Sequence, residues 1–395
     1  MGDESKRCYA LFLTMLPECG SVTIRKLLQR YGSPEEVYLA AIRKEPGFSG
    51  LLGKEHSEKV LDMTAGADPQ KSYEEMLKNE ITMVIESDEI YPARLRKMEK
   101  PPYAIFVKGK LPEDDIPAVA IIGARNCSPY GEYTAEEFGA YLASRGVNII
   151  SGMARGIDGI AQRGALRAGG HTYAVLGSGA DVCYPASNRD LYGKICREGG
   201  AISIFPPGSA PLARNFPARN AIVSALSDLI LVIEARARSG TSNTVEHALH
   251  QAKEVYAVPG RITDRLSDGC NLLIRQGAGA ALSPEDLYRE LGVLKNRAGG
   301  GGSPSGNDSP EEEKRPGEER VTGFGDTKKG KRSGAKIREL SDCVTMTPKS
   351  AEMIHERWKK VKKDAVFEET VRELVLLTLD GRILEEGGWY YRKGE

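Results

Sequence analysis

The sequence lacks the marks of several large functional classes. Its seven cysteines (Cys8, Cys19, Cys127, Cys183, Cys196, Cys270 and Cys343) are odd in number, scattered, and never spaced as C-x-x-C. That spacing argues against a disulfide framework and fits reduced thiols in a cytosol, so a cytoplasmic location is expected. Histidine is scarce at five residues. His247 and His250 stand three apart on an expected helix, without an H-E-x-x-H pattern or a third ligand, so no metal is expected there. There is no P-loop lysine, no G-x-G-x-x-G turn and no nucleophile elbow, so neither a dinucleotide nor any other cofactor is expected. Excess charge is also missing: 55 Lys and Arg balance 55 Asp and Glu. Any nucleic-acid site must then be a local basic pocket on a neutral chain. The longest apolar runs, such as 230–233 with its neighbours, are strand-sized and too short to span a bilayer. The opening Met1-Gly2-Asp3-Glu4 is acidic and does not read as a signal peptide.

What is present divides by composition. A chain of 395 residues, 40% hydrophobic, has the length for two or three domains and enough apolar mass for a sizeable core. Residues 8–65 read as short helices, with Leu11, Leu13, Met15 and Leu16, then Ile24, Leu27 and Leu28, on helical faces. Residues 119–292 alternate β-rich runs with helical stretches, the pattern of a parallel α/β sheet. Strands are expected at 119–122, 147–150, 173–176, 201–204, 229–233 and 255–258, with helices such as 132–144 and 245–252 between them. Gly299-Gly300-Gly301-Gly302, followed by Ser, Pro, Glu and a basic tract, reads as a flexible linker over 293–345. An amphipathic helix over 366–379 and a hairpin over 382–391, turning at Gly387-Gly388, suggest a small winged-helix-like module in 346–395. Residues 80–292 are expected to fold and bind by themselves.

The chemistry gathers in the turns that follow the strands. In Gly123-Ala124-Arg125-Asn126-Cys127-Ser128 a glycine turn leads into a helix, whose free N–H groups favour anions, beside an Arg whose fork fits phosphate. Arg155 and Gly156 lie in a second such turn, over 151–158, where Asp158 reads as a cap for the next helix rather than a catalytic acid, since no second carboxylate lies close in sequence. Arg219 and Asn220 follow Phe216 and Pro217. An Arg at a helix start opposes the helix dipole unless an anion binds, while Phe216 reads as core packing somewhat more readily than as a base-stacking ring. Ser239-Gly240, ahead of Thr241, is equally an ordinary cap or a further anion cradle. Arg125 and Arg219 are expected to meet at the carboxyl edge of the sheet, neither with a neighbouring carboxylate.

Taken together, these motifs resemble those of the bacterial DNA-processing protein A family (DprA or Smf). The matching residues are Tyr91-Pro92, Pro101-Pro102, Gly123-Ala124-Arg125, Tyr130-Gly131, the 151–158 turn, Gly164-Ala165-Leu166, Gly169-Gly170, Tyr184-Pro185, the 216–220 segment, Glu234, Ser239-Gly240, Ala257-Val258-Pro259-Gly260, the 269–274 segment and Gly277-Ala278. They span about 80–291. The resemblance implies a Rossmann-like domain, over 80–292, that binds single-stranded DNA, usually as a homodimer, without catalysis. It further implies a role in protecting DNA strands and loading a RecA-type recombinase during natural transformation. It assigns DNA binding to Gly123, Arg125, Ser128, Arg155, Gly156, Arg219, Asn220, Ser239 and Gly240. Residues 1–75, with Gly20 ahead of Ile24 and with Tyr31-Gly32, resemble the family's SAM-like or helix-hairpin-helix domain. The chain departs from the family's usual residues at Gln162, Ile204, Ala221 and Thr241-Ser242. The alternative reading is a nucleotide hydrolase of the lysine-decarboxylase-like phosphoribohydrolase group, which shares a Gly-Thr turn. Here Ser242 and Asn243 stand where that group places its acid, and Glu246 comes later.

Overall fold

The computed structural model describes residues 6–237, 239–298, 340, 349–359, 362–363, 365–379, 383–386 and 389–391. The chain divides into two units, Met1–Ser303 and Pro304–Glu395.

The first unit opens with six helices: α1 (Arg7–Met15), α2 (Ser21–Tyr31), α3 (Pro34–Ile42), α4 (Gly47–Leu52), α5 (Lys54–Ala65) and α6 (Pro69–Lys78). Local chemistry sets their ends. Ser33 accepts from the Glu36 amide and Asp68 from the Lys71 amide, each followed by a proline in the first turn, so an orphan donor is satisfied where the missing proline N–H costs nothing. Two antiparallel strands come next, β1 (Ile81–Ile85) and β2 (Ala104–Gly109), with the short helix α7 (Ala93–Arg96) between them.

The remainder alternates as β3 (Ala118–Gly123), α8 (Pro129–Ser144), β4 (Asn148–Ser151), α9 (Ile157–Arg167), β5 (Thr172–Leu176), α10 (Arg189–Glu198), β6 (Gly200–Ser203), α11 (Asn215–Ala225), β7 (Leu229–Ile233), α12 (Thr241–His250), β8 (Glu254–Ala257), α13 (Asp268–Arg275), β9 (Gly279–Ala280) and α14 (Pro284–Ala298). The nine strands form one sheet in the order β1-β2-β6-β5-β4-β3-β7-β8-β9. All pairs from β6 to β9 are parallel, and β2 joins β6 antiparallel. This is the expected mostly parallel α/β architecture. The six expected strands are all present. The antiparallel pair β1 and β2 and the short β9 were not anticipated. Helix α14 also runs through Ala298, into the stretch expected as linker.

Residue alternation explains how the sheet is covered. Along β7, Leu229, Leu231 and Ile233 pack with Phe138, Leu142 and Ile157 of α8 and α9. Ile230 and Val232 instead join Ile222, Val223 and Ala248 of α11 and α12. A strand buried on both faces must be apolar throughout, and this one is. The chain steps outward from β3 through β4 and β5 to β6, then returns past β3 to β7 and continues to β8 and β9. The direction reverses beside β3, and open α/β sheets place ligands at the carboxyl ends of strands at such a reversal.

The helical segment is not separate from this sheet. Ile81, Met83, Ala104 and Phe106 of β1 and β2 belong to the core of the six helices, while Val84, Ile105 and Val107 belong to the sheet's own core. Arg7 pairs with Asp88 at 2.9 Å, and Arg25 pairs with Glu86 at 2.6 Å while also donating to the Pro101 carbonyl at 2.8 Å.

The second unit has a core of its own, Leu340, Ile354, Leu374, Leu377, Ile383 and Tyr390. It contains α15 (Ala351–Lys359), α16 (Phe367–Leu379) and an antiparallel sheet of β10 (Lys349–Ser350), β12 (Trp389–Tyr391) and β11 (Leu384–Glu386). Most of the expected linker, and the hairpin turn at Gly387-Gly388, lie outside the described residues. Among the described residues no helix is long and apolar enough to cross a membrane.

Candidate nucleic-acid interface

The turns after β3, β4 and β5 meet the start of α11 at the carboxyl edge of the sheet. Gly123 closes β3 opposite Ile233, and the Ala124 amide donates to the Glu234 carbonyl at 2.8 Å. Gly156 takes φ +74°, and a side chain there would strike the Ala124 and Arg125 carbonyls. The Ile157 amide donates to the Ala124 carbonyl at 3.2 Å. These contacts clamp the first two glycine turns together and leave Arg125 and Arg155 exposed. Neither makes an ion pair or hydrogen bond with a described residue.

Phe216 lines the cleft. It is half-buried, with the Arg125 guanidinium 5.8 Å from its ring centre on one side and that of Arg219 at 5.5 Å on another. The Tyr184 ring lies 6.0 Å away and is 44% exposed. Asn215 anchors the start of α11 by donating to the Gly177 carbonyl at 3.0 Å. The sequence pattern favoured a core role for Phe216. The structure places it on the wall of an open cleft shared with Arg125, Gly152, Arg155 and Tyr184.

Arg219 differs from the expectation in three respects. It sits in the second turn of α11, away from the helix start, and is only 5% exposed. Its Nη1 donates to the Gly152 carbonyl at 2.7 Å and the Val175 carbonyl at 2.6 Å, and its Nε to Asn220 Oδ1 at 3.1 Å. It also has an acidic neighbour, Asp158, near enough for its charge to favour the protonated guanidinium, although the two make no ion pair. Distance in sequence hid this pair, because Asp158 starts α9 and Arg219 is on α11. Burial pushes the Asp158 carboxyl up and the Arg219 guanidinium down to about 10, and each partly offsets the shift of the other. Asp158 does not act as the N-cap of α9, a place held by Gly156. Its carboxylate reaches back to accept from the Gly152 amide at 3.1 Å.

Gly152 lies in the 151–158 turn, where the sequence alone assigned it no DNA-binding role. A Cβ there would lie 2.5 to 2.6 Å from the Arg219 guanidinium, so glycine leaves the room that this group occupies beside the turn after β4.

The start of α8 holds an anion of the chain's own. Glu234 takes φ +52°, a left-handed conformation that costs a non-glycine residue roughly 1–2 kcal/mol. In return its buried carboxylate accepts from the Ser128 amide at 2.8 Å and from the Ser128 hydroxyl. The Ser128 hydroxyl also accepts from the Gly131 amide at 3.2 Å. Ser128 therefore spends its donors inside the protein, and the turn expected to hold phosphate at this helix start is already filled.

The other assigned positions lie to one side. Asn220 donates to Asn243 Oδ1 at 3.4 Å, which links α11 to α12. Ser239 and Gly240 immediately precede α12; Gly240 is exposed, and the Ser239 hydroxyl is enclosed without a hydrogen-bond partner among the described residues. Of the departures, Gln162 is buried and donates to the Tyr173 carbonyl at 3.1 Å, Ile204 packs on the core, and the Ala221 carbonyl accepts from Gln251 at 3.1 Å.

The family model for DNA recombination-mediator protein A matches residues 82–292. The chain is 41% identical to the DNA processing protein DprA of Streptococcus pneumoniae over 204 residues, covering 52% of this chain and 72% of that protein. It is 43% identical to protein Smf of Escherichia coli over 204 residues, 51% of this chain and 54% of that protein. Among solved structures, DprA of S. pneumoniae aligns with a TM-score of 0.61 at 32% identity, over 73% of this chain and 99% of that one. DNA processing protein A of Helicobacter pylori, solved for its single-stranded DNA binding mode, aligns with a TM-score of 0.50 at 29% identity, over 55% of this chain and 97% of that one. A family model matched over 82–292, more than half of the chain, together with relatives above 40% identity, places this chain in the DNA recombination-mediator protein A family, the DprA and Smf proteins.

Proposed function

We propose that this protein binds single-stranded DNA in the cleft at the carboxyl edge of its sheet and leaves the strand uncut. The observation that carries this reading is the half-buried Phe216 ring, with Tyr184 at its side and the exposed, unpaired Arg125 and Arg155 at its rim. A ring open to solvent offers a stacking face that only unpaired bases can reach, and two free guanidinium forks suit the phosphates on either side. The carboxylates Asp158 and Glu234 spend oxygens on the donors of Gly152 and Ser128, which leaves them poorly placed to activate a water. The single-strand binding of the H. pylori relative supports the same reading.

Family membership extends it to a homodimer in the cytoplasm that protects incoming strands and hands them to a RecA-type recombinase. The test is a titration of single-stranded against duplex oligonucleotides with the full chain. Preference for single strands, strands recovered intact after long incubation with divalent metal, and loss of binding in Phe216→Ala are the expected results. Equal affinity for duplex, or nicked product that tracks with the protein, would sink the proposal.

A further inference from the structure

The sheet sets four exposed arginines along one edge. In the spatial order β4-β3-β7-β8, the turns that follow the strands contribute Arg155, Arg125, Arg236 and Arg261 in turn. All four are exposed, and none makes an ion pair or hydrogen bond with a described residue. The first two border the cleft. The other two lie beyond it and belong to no feature described above. Their turns are held together: the Ala235 amide donates to the Leu266 carbonyl at 2.6 Å, and the Gly269 amide to the Ala235 carbonyl at 2.8 Å. Arg236 and Arg261 therefore stand on a braced surface.

Not every cation here is free. Arg265 lies 3.5 Å from Asp268 and has Asp264 beside it in sequence, so it is set aside. Next to Arg261 stands Ile262, which is 90% exposed. A β-branched apolar side chain standing in water next to an unpaired guanidinium fits a ligand with apolar faces and a charged backbone.

From this arrangement we infer that the strand held in the cleft continues over the carboxyl ends of β7 and β8, where Arg236 and Arg261 take further phosphates and Ile262 meets a base face. The inference rests on the single-strand reading of the cleft. Neighbouring strands lie about 4.8 Å apart, so β3 and β8 are roughly 10 Å apart across the edge, within reach of a short run of nucleotides. Among described residues, Ser239 and Gly240 lie on the turn that the strand would cross.

The test is fluorescence anisotropy on the full chain with oligothymidylates of stepped length. It compares wild type, Arg125→Ala, the double variant Arg236→Ala with Arg261→Ala, and Ile262→Ser. The altered side chains outside the cleft are exposed, so unfolding midpoints should match wild type. The shortest oligomers, which fill only the cleft, should bind the double variant as they bind wild type. Longer ones should lose affinity several-fold, with the salt slope flattened by about 0.7 for each phosphate contact removed. Ile262→Ser should weaken only the longer oligomers. If the double variant matches wild type at every length while Arg125→Ala has lost binding, the strand leaves the cleft another way and the inference fails alone. Normal binding by Arg125→Ala would defeat the cleft reading itself. Equal weakening at all lengths would make the two arginines a diffuse field rather than a track. A change of oligomeric state in Ile262→Ser with unaltered binding would assign that residue to contact between copies.

Discussion

Arg125 and Arg219 share one aromatic ring and one cleft, yet their surroundings give them different work. Arg125 is exposed and, apart from the Phe216 ring, meets no partner among the described residues. Arg219 is buried, satisfies the Gly152 and Val175 carbonyls, and offsets the Asp158 charge. Removing a surface cation away from such partners usually changes stability by no more than about 0.5 kcal/mol, whereas leaving a buried hydrogen-bonding group unsatisfied costs about 1–3 kcal/mol, and here two carbonyls lose their donor at once. Urea unfolding should therefore separate Arg125→Ala, stable but weak in binding, from Arg219→Ala, strongly destabilised. Similar midpoints for the two would show that Arg219 is not the buried strut described here. Gly152→Ala tests the same contact from the other side. Its methyl would press on the Arg219 guanidinium, an overpacking that costs typically 1–3 kcal/mol, and it should also disturb binding by moving Arg219 against Phe216. An unchanged midpoint in thermal unfolding would mean that the guanidinium can yield. Of the sequence-assigned positions, Arg125 and Arg155 could be recognised from residue type, because an exposed cation in a glycine turn declares itself. The nearness of Asp158 to Arg219 could not, since α9 and α11 are far apart in the chain and only the fold sets Arg219 on the carbonyl of Gly152, whose amide Asp158 holds.

At the scale of the element, α8 shows how one helix start can be read two ways. A Ser-Pro helix start after a glycine turn signals a free anion site equally well whether the anion comes from solvent or from the chain. Here it comes from the end of β7, through Glu234. A carboxylate at a helix N-terminus contributes about 0.3–1 kcal/mol at exposed sites and up to about 2 when partly buried. Glu234→Ala should lose stabilisation of that order and uncover the Ser128 amide. Added sulfate should then raise the melting temperature of the variant more than that of wild type. Equal responses to sulfate in a differential scanning measurement would mean that the vacated helix start does not hold anions. The apolar run of β7 and the helical stretches beside it were evident in the sequence because burial on both faces demands continuous hydrophobicity. Strands β1 and β2 were not, since their two faces serve different cores and their pairing is antiparallel at the margin of an otherwise parallel sheet.

For the molecule as a whole, the helical segment and the sheet share side chains, and this bears on how the chain can be cut. A fragment of residues 80–292 would expose Ile81, Met83, Ala104 and Phe106, which the first six helices cover. At about 25 cal/mol per Å² of apolar surface, stripping such a face removes stabilisation that a small domain cannot spare. The fragment 6–298 should unfold in one cooperative transition. The fragment 80–292 should unfold at lower urea and bind a hydrophobic dye, and matching urea midpoints would show that the two parts are independent. The sequence by itself determined the α/β alternation, the places of the central strands and the glycine turns that carry Arg125 and Arg155, because hydrophobic period and turn chemistry are local properties written in neighbouring residues. Tertiary structure alone decided that Phe216 lines a cleft, that Asp158 supports Arg219, that Glu234 closes the start of α8 and that the helices share a core with β1 and β2. Each of these depends on which distant segments the strand order brings side by side, and no local pattern encodes that order.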